Sequence, residues 1–415
     1  MFEPRQKLLS RDRAIRKLRK MQNTMAISLQ TGDKANLTDK QLNQIVMIVG
    51  TTGAGKTVTL TNLYCQSIAK NTPLIIVDGK PDENNIAKLH HYASSIGVPF
   101  YAFNALDRQH YNFLSHGSPT ELKDKIMSLK DEWSSDHYRS MSAAYLQTAI
   151  SVLLEQKETL SAFDLIDILD PDELLSQKRY IKSENIHKKI DQAIDGINKD
   201  DLKGLKAHLS ELVYSDLGQY LTCEQGFSLY DAISQSAVVY FALPALIYPD
   251  FAKMLGKLII NDIKSILFKQ QKKVVCCFDE FSVFAGEQVL NLINQGRGLG
   301  AHTVFGTQGF ADLEASSPVF KKQLLNCVNT MIVHRINDHD TAEECAAWIG
   351  TKEGFGLTSQ IDVDNLSGGV GSIRETREFF VHPDTLKQSL LAGEGFLCTK
   401  VGGFSCEKIL VKEVW

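Results

Sequence analysis

The sequence predicts an α/β protein with a mostly parallel central sheet flanked by helices, into which an all-helical stretch is inserted. Three observations carry that expectation. Short apolar runs alternate with helical segments at both ends of the chain, a glycine-rich loop joins one such run to a helix, and the stretch between about 119 and 217 lacks strand signals.

The first apolar run, Ile45 to Val49, stops at Gly50. The next positions, Gly50, Thr51, Thr52, Gly53, Ala54, Gly55, Lys56 and Thr57, fit the phosphate-loop pattern G-x-x-x-x-G-K-[ST]. The glycines allow backbone angles that turn consecutive N–H groups inward, and the following helix adds the positive end of its dipole, so a polyphosphate is drawn there. Lys56 is expected to reach the β and γ phosphates and the Thr57 hydroxyl to ligate Mg2+.

A helix is expected over Thr57 to Ala69, followed by strands Leu74 to Asp78 and Pro99 to Asn104 with a helix around Asn84 to Ile96 between them. Asp78 is either a nucleotide-site residue or a turn former ahead of Gly79. From Pro119 to Leu217 apolar residues recur at helical spacing, as in Ala143, Leu146, Ile150 and Leu153. Ser161 and the pair Asp170-Pro171 look like helix starts, since a Pro in the first turn sacrifices no hydrogen bond. The α/β pattern returns at Ala237 to Leu243, with a helix over Asp250 to Lys269.

Val274 to Glu280 reads VVCCFDE, which places Asp279 and Glu280 at the carboxyl end of a buried strand, where open α/β sheets bind ligands. Beside a phosphate loop this is a Walker B element. Asp279 would hold Mg2+ through water and Glu280 would polarise the attacking water, which points to hydrolysis rather than binding alone. The strand His302 to Thr307 leads to Gln308, either a γ-phosphate sensor or a turn residue. Met331 to Ile336 reads as another strand with Arg335 near its end. Arg335 and Arg297 compete for the role of an arginine finger, with a structural ion pair as the alternative for each. A Gly/Ser-rich loop from Gly354 to Gly371 suits a pore or interface segment or an ordinary surface excursion, and strands at Glu375 to Val381, Gly395 to Lys400 and Lys408 to Val414 are expected to finish the sheet.

The 415 residues allow two or three domains, and 43% hydrophobic with 23% charged residues is the composition of an ordinary globular protein. A net charge of −4 gives no global nucleic-acid signature and leaves room for a local basic channel. Eight cysteines without a C-x-x-C pair read as a reduced, cytosolic chain. No run of eighteen apolar residues and no signal peptide is present. The basic cluster Arg5, Lys7, Arg11, Arg13, Arg16, Lys17, Arg19 and Lys20 reads as a solvated arm, a nucleic-acid contact or the neighbour of a missing membrane anchor.

Taken together, GTTGAGKT at Gly50 to Thr57, VDGKPDE at Val77 to Glu83, YFALPAL at Tyr240 to Leu246, LGKLIINDIK at Leu255 to Lys264, CFDEF at Cys277 to Phe281, GRGLGAHTVFGTQGFADL at Gly296 to Leu313 and HRINDHDTAEECAAWIG at His334 to Gly350 resemble the TraD/TraG-like coupling ATPases of type IV secretion and conjugation, within the FtsK/HerA superfamily. The resemblance implies a RecA-like P-loop NTPase using ATP and Mg2+, assembled as a homo-hexamer and hydrolysing ATP at subunit interfaces. It implies a basic arm over residues 1–40, a nucleotide-binding domain in two parts, 41–118 and 226–415, and an inserted all-α domain over 119–225. By the same carry-over Lys56, Asp279, Glu280, Gln308 and Arg335 are catalytic, with Arg335 the finger in trans. The expected partners are DNA or nucleoprotein, secretion-channel proteins and relaxosome proteins, and the expected place is the cytoplasm or the cytoplasmic face of the inner membrane. Members of that family usually begin with membrane-spanning helices, and this chain carries none. Two alternatives stand beside the motor: a docking receptor for protein substrates or relaxosome partners in which ATP mainly assembles the ring, and a cytosolic HerA-like DNA translocase.

Overall fold

The computed structural model describes residues 8–415 apart from 131, 132, 134, 196, 198, 281, 282, 284–286, 317 and 360–370. In chain order the strands are β1 (Ala26–Ser28), β2 (Lys34–Ala35), β3 (Val46–Val49), β4 (Leu74–Asp78), β5 (Phe100–Phe103), β6 (Val238–Ala242) and β7 (Val274–Asp279). They continue with β8 (Ala301–Thr307), β9 (Thr330–Val333), β10 (Thr351–Ser359), β11 (Gly371–Phe379), β12 (Glu394–Thr399) and β13 (Ser405–Val411). The chain divides into two compact units, one made of Met1–Leu63 with Gly306–Trp415, the other of Tyr64–Phe305.

In the first unit the strand order is β2-β1-β13-β12-β9-β3. Only β3 and β9 pair in parallel, and all four residues of each are buried, which is why both read as continuous apolar runs. The remaining pairs are antiparallel. The basic stretch near the start folds into this unit. Residues Arg11–Lys20 form a helix whose Ala14 and Leu18, four residues apart on one face, pack against Ile27, Leu29 and Leu410. Its charged side chains thus occupy the outer face of a packed helix.

Three sequence expectations change here. The strand foreseen over Met331 to Ile336 ends at Val333, because the chain turns away so that the Arg335 carbonyl accepts from the Thr51 N–H at 2.8 Å. Part of the loop foreseen over Gly354 to Gly371 is strand: β10 and β11 pair antiparallel from Thr351↔Phe379 to Ser359↔Gly371, and residues 360–370 lie outside the described residues. The strand expected over Glu375 to Val381 falls mostly in β11, which belongs with β10 to a separate two-stranded sheet rather than to the main one, whereas antiparallel β12 and β13 join the main sheet and set Cys398 opposite Cys406.

The second unit carries β8 through Phe305, β7, β4, β6 and β5, neighbours in that order and parallel throughout. Between β5 and β6 lie the helices Pro119–Met127, Asp136–Leu154, Ala162–Ile168, Pro171–Ser176, Glu184–Asp195 and Lys199–Val213. Their starts follow the local signals. Ser161 and Asp164 form a reciprocal capping box, and the Asp170 side chain accepts from the Asp172 N–H with Pro171 in the first turn.

A buried polar cluster ties this unit together. Asp262, on the helix Pro249–Gln270, accepts from the Tyr111 hydroxyl and from Lys125 Nζ, both at 2.6 Å, and Lys125 also donates to the Phe113 carbonyl. Each of the three side chains is hydrogen-bonded, which offsets part of the desolvation cost of burying the ion pair. Among the described residues no helix is long and apolar enough to cross a membrane.

Candidate functional site

The phosphate loop lies in the first unit. Buried β3 delivers the chain to Gly50, whose N–H donates to the Thr307 carbonyl at 3.3 Å. The helix Lys56–Ala69 then begins at the lysine of the motif. Gly53 and Gly55 have φ of +73° and +123°, the left-handed values that the loop requires and that glycine adopts without strain. Lys56 Nζ donates to the Gly50 carbonyl at 2.6 Å, so the ammonium is held over the mouth of the loop. Thr57 is exposed at the first turn of the helix, and Val58 follows it half-buried.

Gln308 and Arg335 are both brought to this loop. Thr52 Oγ1 donates to Gln308 Oε1 at 3.1 Å, which joins the tip of β8 to the loop side chains. The Arg335 main chain borders its own chain's loop through the Thr51 N–H, and Asn337 Nδ2 donates to Thr51 Oγ1 at 3.3 Å.

The residue beneath the loop was not foreseen as part of the site. His334, at the tail of β9, is fully buried. Its Nδ1 lies 2.8 Å from the Glu394 carbonyl, which can only accept, so Nδ1 carries the hydrogen. Nε2 is therefore the acceptor for the Thr59 hydroxyl, also at 2.8 Å. Burial holds the imidazole down to about 4, and the nearby Lys56 ammonium acts in the same direction. A Cβ on Gly50 would meet the His334 Cβ at 2.7 Å, one on Gly55 its Cε1 at 3.3 Å, and one on Gly395 its Nδ1 at 3.1 Å. Three glycines thus close around one neutral ring. A lone histidine after an apolar run gives no local signal of this, since its partners are about sixty and several hundred positions away.

The acidic half lies in the second unit. β4 and β7 are parallel neighbours with Asp78 in register with Asp279. Asp78 is buried; Oδ2 accepts from the Tyr240 hydroxyl, and Oδ1 accepts from the Lys80 N–H at 2.8 Å. Burial first, and then the Asp279 carboxylate, push the Asp78 carboxyl up. Of the two roles read for Asp78, the turn role is visible in the Lys80 bond, and its place beside Asp279 puts it at the acidic centre as well. Asp279 Oδ1 accepts from the Glu280 N–H at 2.9 Å, and Glu280 has φ of +52°. A non-glycine residue in that region carries strain that the surroundings must hold, a common feature of functional turns. Burial pushes the Cys276 thiol up to about 12 and holds the Cys277 thiol well above its ordinary value, so neither is a nucleophile at neutral pH. Arg297, the other finger candidate, is exposed in the short 3-10 turn Arg297–Leu299 of the same unit.

The first unit presents an exposed hydroxyl at Thr57 and the second a carboxylate at the strand end, Asp279, each an oxygen donor of the kind that a hard ion such as Mg2+ takes.

A glycine loop between a buried parallel strand and a helix, and an acidic pair ending another such strand, define a RecA-like P-loop NTPase. Residues 273–386 match the family described as the TraM recognition site of TraD and TraG. An uncharacterised protein of Mycoplasma pneumoniae is 29% identical over 134 residues, 31% of this chain and 87% of that protein. Among solved structures, the bacterial conjugative coupling protein TrwBdeltaN70 is similar with a TM-score of 0.63 at 14% identity, over 98% of this chain and 92% of that one. VirB4 of Thermoanaerobacter pseudethanolicus gives 0.60 at 12% identity, over 94% and 96%. Within the P-loop class, residues 273–386 of this chain are similar to the TraD/TraG family, and its fold is similar to that of a conjugative coupling protein.

Proposed function

We propose that the chain is an ATP-hydrolysing motor that couples DNA or nucleoprotein to a type IV secretion or conjugation channel. The observation that carries the reading is the phosphate loop, with Gly53 and Gly55 in left-handed conformation and Lys56 poised over it, in a chain whose 273–386 segment matches the TraD/TraG family. TrwB has been solved with the ATP analogue ADPNP and with ADP and Mg2+, which supports the same ligands here. The domain reading proposed with it assigns residues 41–118 and 226–415 to nucleotide binding and 119–225 to an inserted all-α domain.

In this mechanism the loop N–H groups beyond Thr51 bind the phosphates, those of Gly50 and Thr51 being taken by the Thr307 and Arg335 carbonyls, and Lys56 neutralises the phosphate charge. Thr57 and Asp279 would hold Mg2+, which would supply positive charge to offset that of the phosphates. Glu280 orients and polarises water for attack on the γ phosphorus. Gln308 senses the γ phosphate and transmits its presence to Thr52. Arg335 supplies a cation to the phosphoryl group in a ring of six subunits, from the cytoplasmic side of the inner membrane.

The test is steady-state ATPase with and without DNA. Glu280→Gln is expected to lower kcat by about 10²–10⁴ while ATP affinity is kept; wild-type turnover in that variant removes the assignment. DNA affinity should fall steeply with salt, by close to one log unit per log unit of salt for each phosphate contacted.

The family match at 273–386 and the net charge of −4 favour a second reading, a receptor that docks relaxosome proteins while ATP assembles the ring. Undetectable DNA binding at low salt, with retained binding of a relaxosome protein, would decide for it.

A further inference from the structure

Beside the phosphate loop the first unit holds a cavity of about 450 Å³, within the size range of small-ligand sites. One wall is the loop itself and the first turn after it, Gly53, Gly55 and Val58. The Arg11–Lys20 helix lines it through Ile15 and Arg19, and Trp415, beyond the end of β13, lines it as well. We propose that this cavity receives the base and ribose of the nucleotide, with a purine ring lying against the indole of Trp415 and the guanidinium of Arg19. The inference rests on the phosphate-loop reading above and adds the half of the ligand that the loop does not hold.

Continuity is the first argument. Val58 directly follows Thr57, so a chain of phosphates running along the loop N–H groups leads its nucleoside end towards the side chains that line this cavity. Chemistry is the second. Ile15, Val58 and Leu410 give the floor an apolar character suited to a flat ring, and Trp415 is 42% exposed, an aromatic face available for stacking. A purine offers two fused rings to that face and gains more from it than a pyrimidine does. Arg19 and Arg11 place positive charge at the rim, and Arg11 is itself held by donation to the Ala392 carbonyl at 2.8 Å and by its ion pair with Glu394. The third argument is rigidity. Lys412 N donates to the Met25 carbonyl, Lys412 Nζ to the Met21 carbonyl, and the Lys412 carbonyl accepts from Asn62 Nδ2, so the segment carrying Trp415 is fastened to the helix after the loop and to the chain after the Arg11–Lys20 helix. The basic helix thereby gains a role other than an arm: it forms a wall of the nucleotide site.

The test is calorimetric binding of inorganic tripolyphosphate, ATP and CTP to the full chain and to Trp415→Ala, Trp415→Phe and Arg19→Ala. Both positions are partly or fully exposed, so the variants keep their fold, which circular dichroism checks. Wild type should bind ATP more tightly than CTP and than tripolyphosphate. Trp415→Ala should weaken ATP about tenfold, leave tripolyphosphate unchanged, and be largely restored in Trp415→Phe. Tripolyphosphate bound normally, with ATP affinity unmoved by Trp415→Ala and by Arg19→Ala, would overturn the nucleoside site and leave the phosphate site standing. Absence of binding by all three ligands would remove the phosphate-loop reading and the nucleoside site together.

Discussion

His334 is the sharpest test of how the phosphate loop is held. Its ring makes two bonds at right angles to the logic of a catalytic histidine: one to a main-chain carbonyl on β12, one to a threonine hydroxyl on the helix after the loop. The amide of His334→Asn places a donor near the position of Nδ1 and keeps the Glu394 bond. That of His334→Gln reaches the position of Nε2 and keeps the Thr59 bond. Each variant therefore strands one buried partner, which costs about 1–3 kcal/mol. Thr59 has a second acceptor, the Gly55 carbonyl at 3.1 Å, whereas among the described residues no second side-chain donor reaches the Glu394 carbonyl. Gln is accordingly expected to be the more damaging change, with Asn softened by the rotation of the Thr59 hydroxyl towards Gly55.

The pH dependence has a definite sign. The folded imidazole sits at about 4 against an ordinary 6.5, so as pH falls the unfolded chain takes up the proton first. The stabilisation is fully present above about 6.5 and is lost as pH falls towards 4, about 3 kcal/mol in all at 1.36 kcal/mol per unit. Hydrogen exchange of peptides spanning residues 50–60, measured between pH 7 and 4.5, reads local opening of the loop. The excess opening of wild type at low pH should be absent in both variants. Equal exchange in wild type and His334→Gln at pH 7, or an unchanged pH slope in the variants, would refute the pinning role.

Other outcomes follow from the same geometry. Gly395→Ala places a methyl 2.9 Å from the Val333 carbonyl and against His334, and should loosen the loop as His334→Gln does while leaving DNA binding intact in a filter assay. Asp262→Ala leaves Lys125 buried without its partner and should lower the stability of the second unit by about 3–5 kcal/mol in urea titration, whereas the joint change Asp262→Leu, Lys125→Met, Tyr111→Phe should be nearly neutral. Mixing Lys56→Ala with Arg335→Ala chains should recover ATPase activity if Arg335 acts on a neighbouring subunit; no recovery assigns it to its own loop, beside which its main chain lies.

What was legible in the sequence was legible because it is local. Continuous apolar runs mark β3, β4, β6 and β7 as strands buried on both faces, and all of them occur as expected. Ser161 and Asp170 announce their helices because a cap is made within three residues. The misses are long-range. Nothing near Cys398 indicates Cys406 as its cross-strand neighbour until the register of β12 and β13 is known. The charges of residues 11–20 dominate any composition reading, yet Ala14 and Leu18, too few to register as an apolar stripe, decide where that helix packs. The expected strand over Met331 to Ile336 runs three residues past the end of β9 at Val333, since the His334 ring and the Arg335 carbonyl are taken by the loop and the helix after it.

The glycines of the motif acquire a second reason for being glycine. Loop conformation explains Gly53, whose left-handed φ has open space around it. It does not explain Gly50, which has no left-handed φ; there a side chain would strike His334. Gly55 answers to both demands, a left-handed φ and a backbone so near that an added Cβ would meet Gly393 at 3.0 Å. The loop is thus packed from below by β9, β12 and the turn before β12, and its N–H groups are fixed before any phosphate arrives. A cradle set in advance spends little of the ligand's binding energy on ordering itself. It also predicts where a ligand-dependent signal leaves the site: through Gln308 and Arg335, which join the loop by way of Thr52 and Thr51, rather than through the glycines pinned on His334 and Gly393. Thr52→Val, which cuts the Gln308 bond without touching the packed face, should leave ATP affinity within about threefold of wild type and abolish any DNA stimulation of the ATPase. Unchanged stimulation would place the signal elsewhere.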